Sequence, residues 1–166
     1  MAAKRNKGTT FERALEAIFH CYQRSGRAKI HKVDPPIRVI HGPPKRIIPL
    51  ENYHLDFAGT WTELGGRMII IEAKWTEDRR LRIGRTGGIT ENQIANMRSW
   101  EKAGAATAAV WGSPLGMKMV SLDMIDERIQ ATERVSLRWC DAVTVPPGAT
   151  PEISHDILGC LEGLAF

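Results

Sequence analysis

No run of 18 apolar residues occurs anywhere in this 166-residue chain, and its first apolar stretch, Ala14 to Phe19, is broken by Glu16. A membrane-spanning helix needs about 20 consecutive apolar residues, so neither a transmembrane span nor a signal peptide is expected. Cysteine is scarce: Cys21, Cys140 and Cys160 are odd in number, far apart and outside any C-x-x-C pattern. That spacing disfavours a disulfide framework and a zinc cage, His20 beside Cys21 lacking a second ligand pair, and it suits a reducing cytoplasm. Gly84, Gly87 and Gly88 lack the Lys-Ser/Thr of a phosphate-binding loop, so no nucleotide cofactor is expected. Internal repeats are missing as well. What is present is 43% AVILMFWYC residues, enough for a chain of this length to bury about two-thirds of its unfolded surface as a single domain.

Charge is unevenly spread. Residues 1–46 carry eleven Lys/Arg and three Asp/Glu, a net of +8, whereas residues 47–166 carry twelve and sixteen, a net of −4. A solvated face would mix signs; one-sided charge of this size is the electrostatic footprint of a polyanion partner, most often nucleic acid.

The apolar spacing divides the chain into elements. Met1 to Gly8, with Lys4, Arg5 and Lys7, reads as a flexible basic arm. Thr9 is positioned to cap a helix from about residue 10 to Ser25, with Phe11, Leu15, Ile18, Phe19 and Tyr22 as its buried stripe and Gly26 as its stop. Ala28 to Ile40 reads as extended, with Lys29, Lys32 and Arg38 alternating with apolar residues. Residues 41–50 hold three prolines together with Lys45 and Arg46, a composition that cannot continue a central strand and is expected to protrude as a stiff, basic, stalk-like loop. Tyr53–Thr60 and Arg67–Trp75, around Glu63-Leu64-Gly65-Gly66, read as an antiparallel hairpin. Thr76 to Gly88, with Arg79, Arg80, Arg82 and Arg85, reads as a long mobile loop. Thr90 caps a second helix with Ile89 and Ile94 as a staple and Gly104 as the stop. Strands at Ala105–Trp111 and Met117–Val120, a helix at Leu122–Ala131 and a final helix at Pro151–Leu161 complete an α/β chain with a mixed sheet flanked by helices.

One constellation demands a chemical reason. Asp56 lies in one strand of the hairpin and Glu72-Ala73-Lys74 ends the other, where alternation puts Glu72 and Lys74 on one face. The run entering that triplet, Met68-Ile69-Ile70-Ile71, is as apolar as any in the chain, so ionised groups at its end need a partner or a metal. Two carboxylates beside an ammonium suit a hard cation. Asp and Glu oxygens are what Mg²⁺ prefers; it keeps waters and accepts phosphate oxygens, and a water it holds is a ready nucleophile. Lys74 is placed to orient that water or to neutralise charge developing on a phosphoryl group.

Asp56, Glu72 and Lys74 resemble the signature of the PD-(D/E)xK nucleases, whose restriction-endonuclease-like core carries D and E-x-K on a hairpin. The flanking residues are similar to one branch, the RecU-type Holliday junction resolvases. Gly8-Thr9-Thr10-Phe11-Glu12 resembles that family's first-helix G-x-x-x-E, and Ile30-His31-Lys32-Val33-Asp34-Pro35-Pro36 its basic Lys/Pro strand. Asp56-Phe57-Ala58-Gly59 resembles D-Y-x-G, Glu72-Ala73-Lys74-x-Thr76 resembles E-A-K-x-T, and Gln93-Ile94 resembles H-Q-I. The likeness spans roughly residues 8–111. It departs at Leu55, where the superfamily often has proline, and at Asn92, where the resolvases often have histidine.

The resemblance implies an active centre of Glu12, Asp56, Glu72 and Lys74, with Gln93 in support. Asp56, Glu72 and the Ala73 carbonyl would hold Mg²⁺, for which Mn²⁺ substitutes, with Glu12 acting through a water or on a second cation. It further implies a metal-dependent endonuclease that resolves four-way junctions by paired symmetric nicks in DNA recombination and repair, with 41–50 as a stalk. A four-way junction calls for a two-fold homodimer with two active sites. The alternatives are a superfamily nuclease acting on linear or damaged DNA, and a non-catalytic junction-binding architectural protein. Residue by residue there are plainer readings to weigh. Thr9-x-x-Glu12 and Thr90-x-x-Gln93 both have the form of capping boxes, and a Glu/Lys pair can simply guard a strand edge. Lys4, Arg5, Lys7, Lys29, Lys32, Arg38, Lys45, Arg46 and the arginines at 79, 80, 82 and 85 are the candidate DNA contacts. Trp61, Trp75, Trp100 and Trp111 are expected to pack rather than to stack on bases.

Overall fold

The computed structural model describes residues 7–34, 37–40, 46–49, 55–131, 136–148 and 154–165, with backbone alone at 37–40, 46–49 and 165. The centre is a six-stranded mixed sheet in the order β1-β4-β5-β7-β8-β10, with β1 at Ala28–Lys32, β4 at Phe57–Trp61 and β5 at Arg67–Trp75. Continuing outward, β7 is Ala106–Ser113, β8 Gly116–Val120 and β10 Val143–Thr144. β5 and β7 run parallel and the other pairs antiparallel. A parallel pair needs a crossover, here supplied by a helix at Glu91–Lys102, α2.

Two apolar cores sandwich the sheet. One face packs under α1 (Lys7–Arg24) and α4 (Ile157–Ala165), with Ile69 and Ile71 of β5 pointing into it. The other packs under α2 and α3 (Leu122–Ala131) around Met97, Trp111 and Ile125. Trp61 and Trp111 are buried, as a packing role requires. The mixed sheet flanked by helices is the architecture the sequence predicts.

α1 buries Phe11, Leu15, Ile18, Phe19 and Tyr22, the stripe read from the sequence, and the chain turns at Gly26 with φ +74°. Thr9 does not cap it: the helix already runs from Lys7, so Thr9 lies in its first turn and Glu12 closes no box with it. At α2 the sequence reading holds. Thr90 accepts from the Gln93 amide, Gln93 Oε1 accepts from the Thr90 amide at 3.0 Å, and Ile89 and Ile94 are both buried.

Three other expectations are corrected. Residues 76–88 are not a structureless loop: β6 (Arg80–Arg82) pairs antiparallel with an unforeseen strand β9 (Ser136–Arg138), and Leu81 and Ile83 are buried in the α2/α3 core. Arg-Leu-Arg-Ile is a strand alternation too short to stand out among four arginines. Within 41–50, Arg46–Pro49 forms a strand, β3, paired antiparallel with β2 (Ile37–Ile40) and separate from the main sheet. Isoleucine, the residue type at 47 and 48, favours strands, and Pro49 sits at the end of the ladder, where a missing amide is tolerated. Residues 41–45 and 50, like residues 1–6 of the expected basic arm, lie outside the described residues, while the last two of that arm, Lys7 and Gly8, are the first turn of α1 rather than a flexible lead-in. The last helix starts at Ile157 rather than after Thr150, because Asp156 Oδ1 accepts from the Gly159 amide and the Tyr22 hydroxyl accepts from the Ile157 amide at 2.8 Å.

Among the described residues no helix is long and apolar enough to cross a membrane, and no disulfide joins Cys21, Cys140 or Cys160.

Candidate active site

The hairpin register builds the site. Phe57 pairs with Ile71 and Ala58 with Ile70, so continuing the ladder by one residue sets Asp56 opposite Glu72. Alternation sends Ile69, Ile71 and Ala73 toward the α1 core and leaves Glu72 and Lys74 facing α2. The Asp56 carboxylate is pinned there, Oδ2 accepting from the Ala73 amide at 2.7 Å, while its own carbonyl takes the Val33 amide at 2.9 Å. β4 can lie this close to β1 because residue 59 is glycine. A Cβ there would sit 2.0 Å from the Lys29 carbonyl oxygen.

Glu72 is fully buried, at 0% exposure. Its Oε2 accepts from Gln93 Nε2 at 2.7 Å and lies 3.6 Å from Lys74 Nζ. Its Oε1 is buried with no hydrogen-bond partner. Burial first, and the neighbouring Asp56 charge second, push the Glu72 carboxyl up to about 9, with Lys74 opposing. A buried acceptor without a donor is costly, and a cation is the group that would satisfy this one.

Gln93 does two things at once. Its Oε1 closes the α2 capping box while its Nε2 holds Glu72. The sequence offered those as competing roles, and the geometry gives each end of one amide its own partner. A cavity of about 340 Å³ lined by Ala73, Lys74, Gly87, Gly88 and Gln93 adjoins this cluster.

Glu12 projects from α1 to Lys32 Nζ at 2.7 Å, with Glu16 at 3.9 Å from the same ammonium. Lys32 pairs across the ladder with Phe57, the residue after Asp56. The structure therefore brings Asp56, Glu72, Lys74 and Gln93 into one contact network and holds Glu12 in a neighbouring ion pair. Among the described residues no three His, Cys, Asp or Glu side chains converge into a ready metal cage.

The candidate DNA contacts are dispersed. Lys29, Arg79, Arg80, Arg82 and Arg85 are exposed; Lys7 is ion-paired with Glu77. Arg38 and Arg46 stand on the β2–β3 ribbon, and Lys4, Arg5 and Lys45 lie outside the described residues.

A helix, a hairpin carrying Asp56 and Glu72-Ala73-Lys74, and a helix-linked parallel strand define the PD-(D/E)xK nuclease class. The same architecture is found in a solved Holliday junction resolvase, Hjc from the hyperthermophile Archaeoglobus fulgidus, at a TM-score of 0.52 and 15% identity, covering 84% of this chain and 92% of that one. The family model for Recombination protein U, RecU, matches residues 6–110. The chain belongs to that family, and with it to the Holliday junction resolvases, endonucleases of DNA recombination and repair. No curated protein matches the chain. The match ends at residue 110, close to where the sequence motifs end.

Proposed function

We propose that this resolvase is a Mg²⁺-dependent homodimer that cuts four-way DNA junctions by paired symmetric nicks, with Asp56 and Glu72 as its metal-holding carboxylates. The observation that carries the reading is Glu72: a fully buried acid with one oxygen held by Gln93 and the other unpartnered, at the register position opposite Asp56. Mg²⁺ is commonly bound by one or two carboxylates plus waters and phosphate oxygens, so two acids and the Ala73 carbonyl are a sufficient protein contribution. When bound there, the cation supplies Lewis acidity and an activated water for phosphodiester hydrolysis.

The chain's own groups do the rest. The Ala73 amide and Gln93 fix the two carboxylates before substrate arrives, which lowers the reorganisation needed at the reaction step. Lys74, 18% exposed and beside Glu72, stands where it can stabilise negative charge on the phosphoryl oxygens. Glu12 reaches the site through a water once Lys32 is drawn to a DNA phosphate. The two-fold symmetry of the junction is matched by a dimer presenting two such sites, with the β2–β3 ribbon as the stalk toward the junction centre.

Glu72→Ala tests this reading. Cleavage of a synthetic junction with Mg²⁺ is expected to be lost while junction binding is kept; cleavage at the parent rate would remove Glu72 from the site. Light scattering at micromolar concentration is expected to give a dimer, and a monomer would contradict the symmetric-cut reading.

A further inference from the structure

The small β6–β9 sheet has a charge pattern that folding does not ask for. Its register sets Leu81 opposite Leu137, Arg80 opposite Arg138 and Arg82 opposite Ser136. Leu81 and Leu137 are 1% and 3% exposed and anchor the ribbon in the α2/α3 core. Alternation then turns Arg80, Arg82 and Arg138 together onto the outer face, where all are exposed. Like charges directly opposite on paired strands are destabilising. Among the described residues Arg79, Arg80, Arg82 and Arg85 have no acidic partner, while the acids Glu77 and Asp141 are taken by Lys7 and Arg138. The Asp141 pair is an exposed one, of the kind worth little, and it leaves Nη1 of Arg138 outside the contact.

A rigid two-stranded ribbon with side chains at i and i+2 roughly 6.6 Å apart presents forked guanidinium donors suited to phosphate oxygens. We propose that the outer face of the β6–β9 ribbon is a second DNA-binding surface, gripping the phosphate backbone of a duplex arm. Arg80 and Arg82 of β6 and Arg138 of β9 are its phosphate ligands. This gives the segment beyond the family match a function: β9 completes the surface and supplies one of its arginines. The choice of DNA as the polyanion rests on the resolvase reading, but the binding needs no cleavage and no metal.

The test measures junction and linear-duplex affinity in chelator against salt concentration. Each phosphate contact contributes about 0.9 to the log–log salt slope, so R80A/R82A/R138A is expected to flatten the slope by about 3, equally on junction and linear arm. An Arg→Gln version of the triple variant, which keeps side-chain bulk, is expected to do the same. Asp141→Asn, which releases Arg138 and removes a negative charge, is expected to tighten binding. A variant lacking Arg24 and Lys102, cations on α1 and α2, is expected to keep the parent slope. An unchanged slope in both triple variants, weakened or unaltered binding by Asp141→Asn, or a per-charge loss in the Arg24/Lys102 control equal to that of the ribbon would each overturn the proposal. Because the readout is binding in chelator, failure to cleave would refute the metal-site reading and leave this surface standing.

Discussion

The buried Glu72, one of whose oxygens has no hydrogen-bond partner, makes stability depend on pH in a direction opposite to that of an ordinary paired carboxylate. In the metal-free protein its carboxyl titrates at about 9 rather than its ordinary 4.5, chiefly through burial. Between those values the folded chain holds a proton that the unfolded chain has released, so stability falls as pH rises. A single proton sets that slope at about 1.4 kcal/mol per pH unit. The contribution is fully present below about 4.5 and is lost progressively as pH approaches 9. Glu72→Gln has nearly the same shape, keeps an oxygen for Gln93 and cannot titrate. Subtracting its stability from that of the parent therefore isolates the one group. Urea unfolding in chelator from about pH 5.5 to about pH 8.5 is expected to give a parent curve that drops relative to Glu72→Gln by up to about 1.4 kcal/mol per unit. Mg²⁺ is expected to stabilise the parent increasingly as pH rises, because the ionised carboxylate is the form that binds a cation, and to leave the variant unaffected. Parallel curves in chelator would refute the account of Glu72 as a carboxyl held neutral by burial.

Three further outcomes follow from the same geometry. Gln93→Leu removes the donor on Glu72 and is expected to cost roughly 10–100-fold in metal affinity, measured by calorimetric titration. Thr90→Ala, which removes the cap hydroxyl and its neighbouring methyl group but leaves the Gln93 amide, is expected to cost about 1 kcal/mol of stability with metal affinity unchanged, and equal effects of the two on affinity would deny Gln93 its contact with Glu72. Gly59→Ala drives a methyl group to 2.0 Å from the Lys29 carbonyl and is expected to destabilise the β1–β4 pair by about 1–3 kcal/mol; an unchanged melting temperature would contradict that close approach.

Legibility from sequence followed the range of the interactions. Elements whose signals are local were readable: α1 from its apolar stripe, the β4–β5 hairpin from its turn, α2 from Thr90 and Gln93, and α3 from residue 122 to residue 131. Asp56, Glu72 and Lys74 stood out because charge at the end of an isoleucine run violates the local pattern. What was hidden depends on partners far along the chain. β6 exists because β9, more than fifty residues later, pairs with it, and α4 begins where Tyr22 of α1 and Asp156 satisfy its first amides. Thr9 had the chemistry of a cap, yet Glu12, the residue that would have completed its box, is turned to Lys32. The double use of Gln93 needed both ends of its amide to be seen in place, since the spacing alone signals only the cap.

The most direct measurement is cleavage of an end-labelled four-way junction and of a linear duplex with the same arm sequence, each with Mg²⁺ and with chelator. The account predicts symmetric nicks on the junction alone, dependent on Mg²⁺. Equal cutting of both substrates would contradict junction selectivity, and junction binding without cutting in Mg²⁺ would contradict the catalytic role of Asp56 and Glu72.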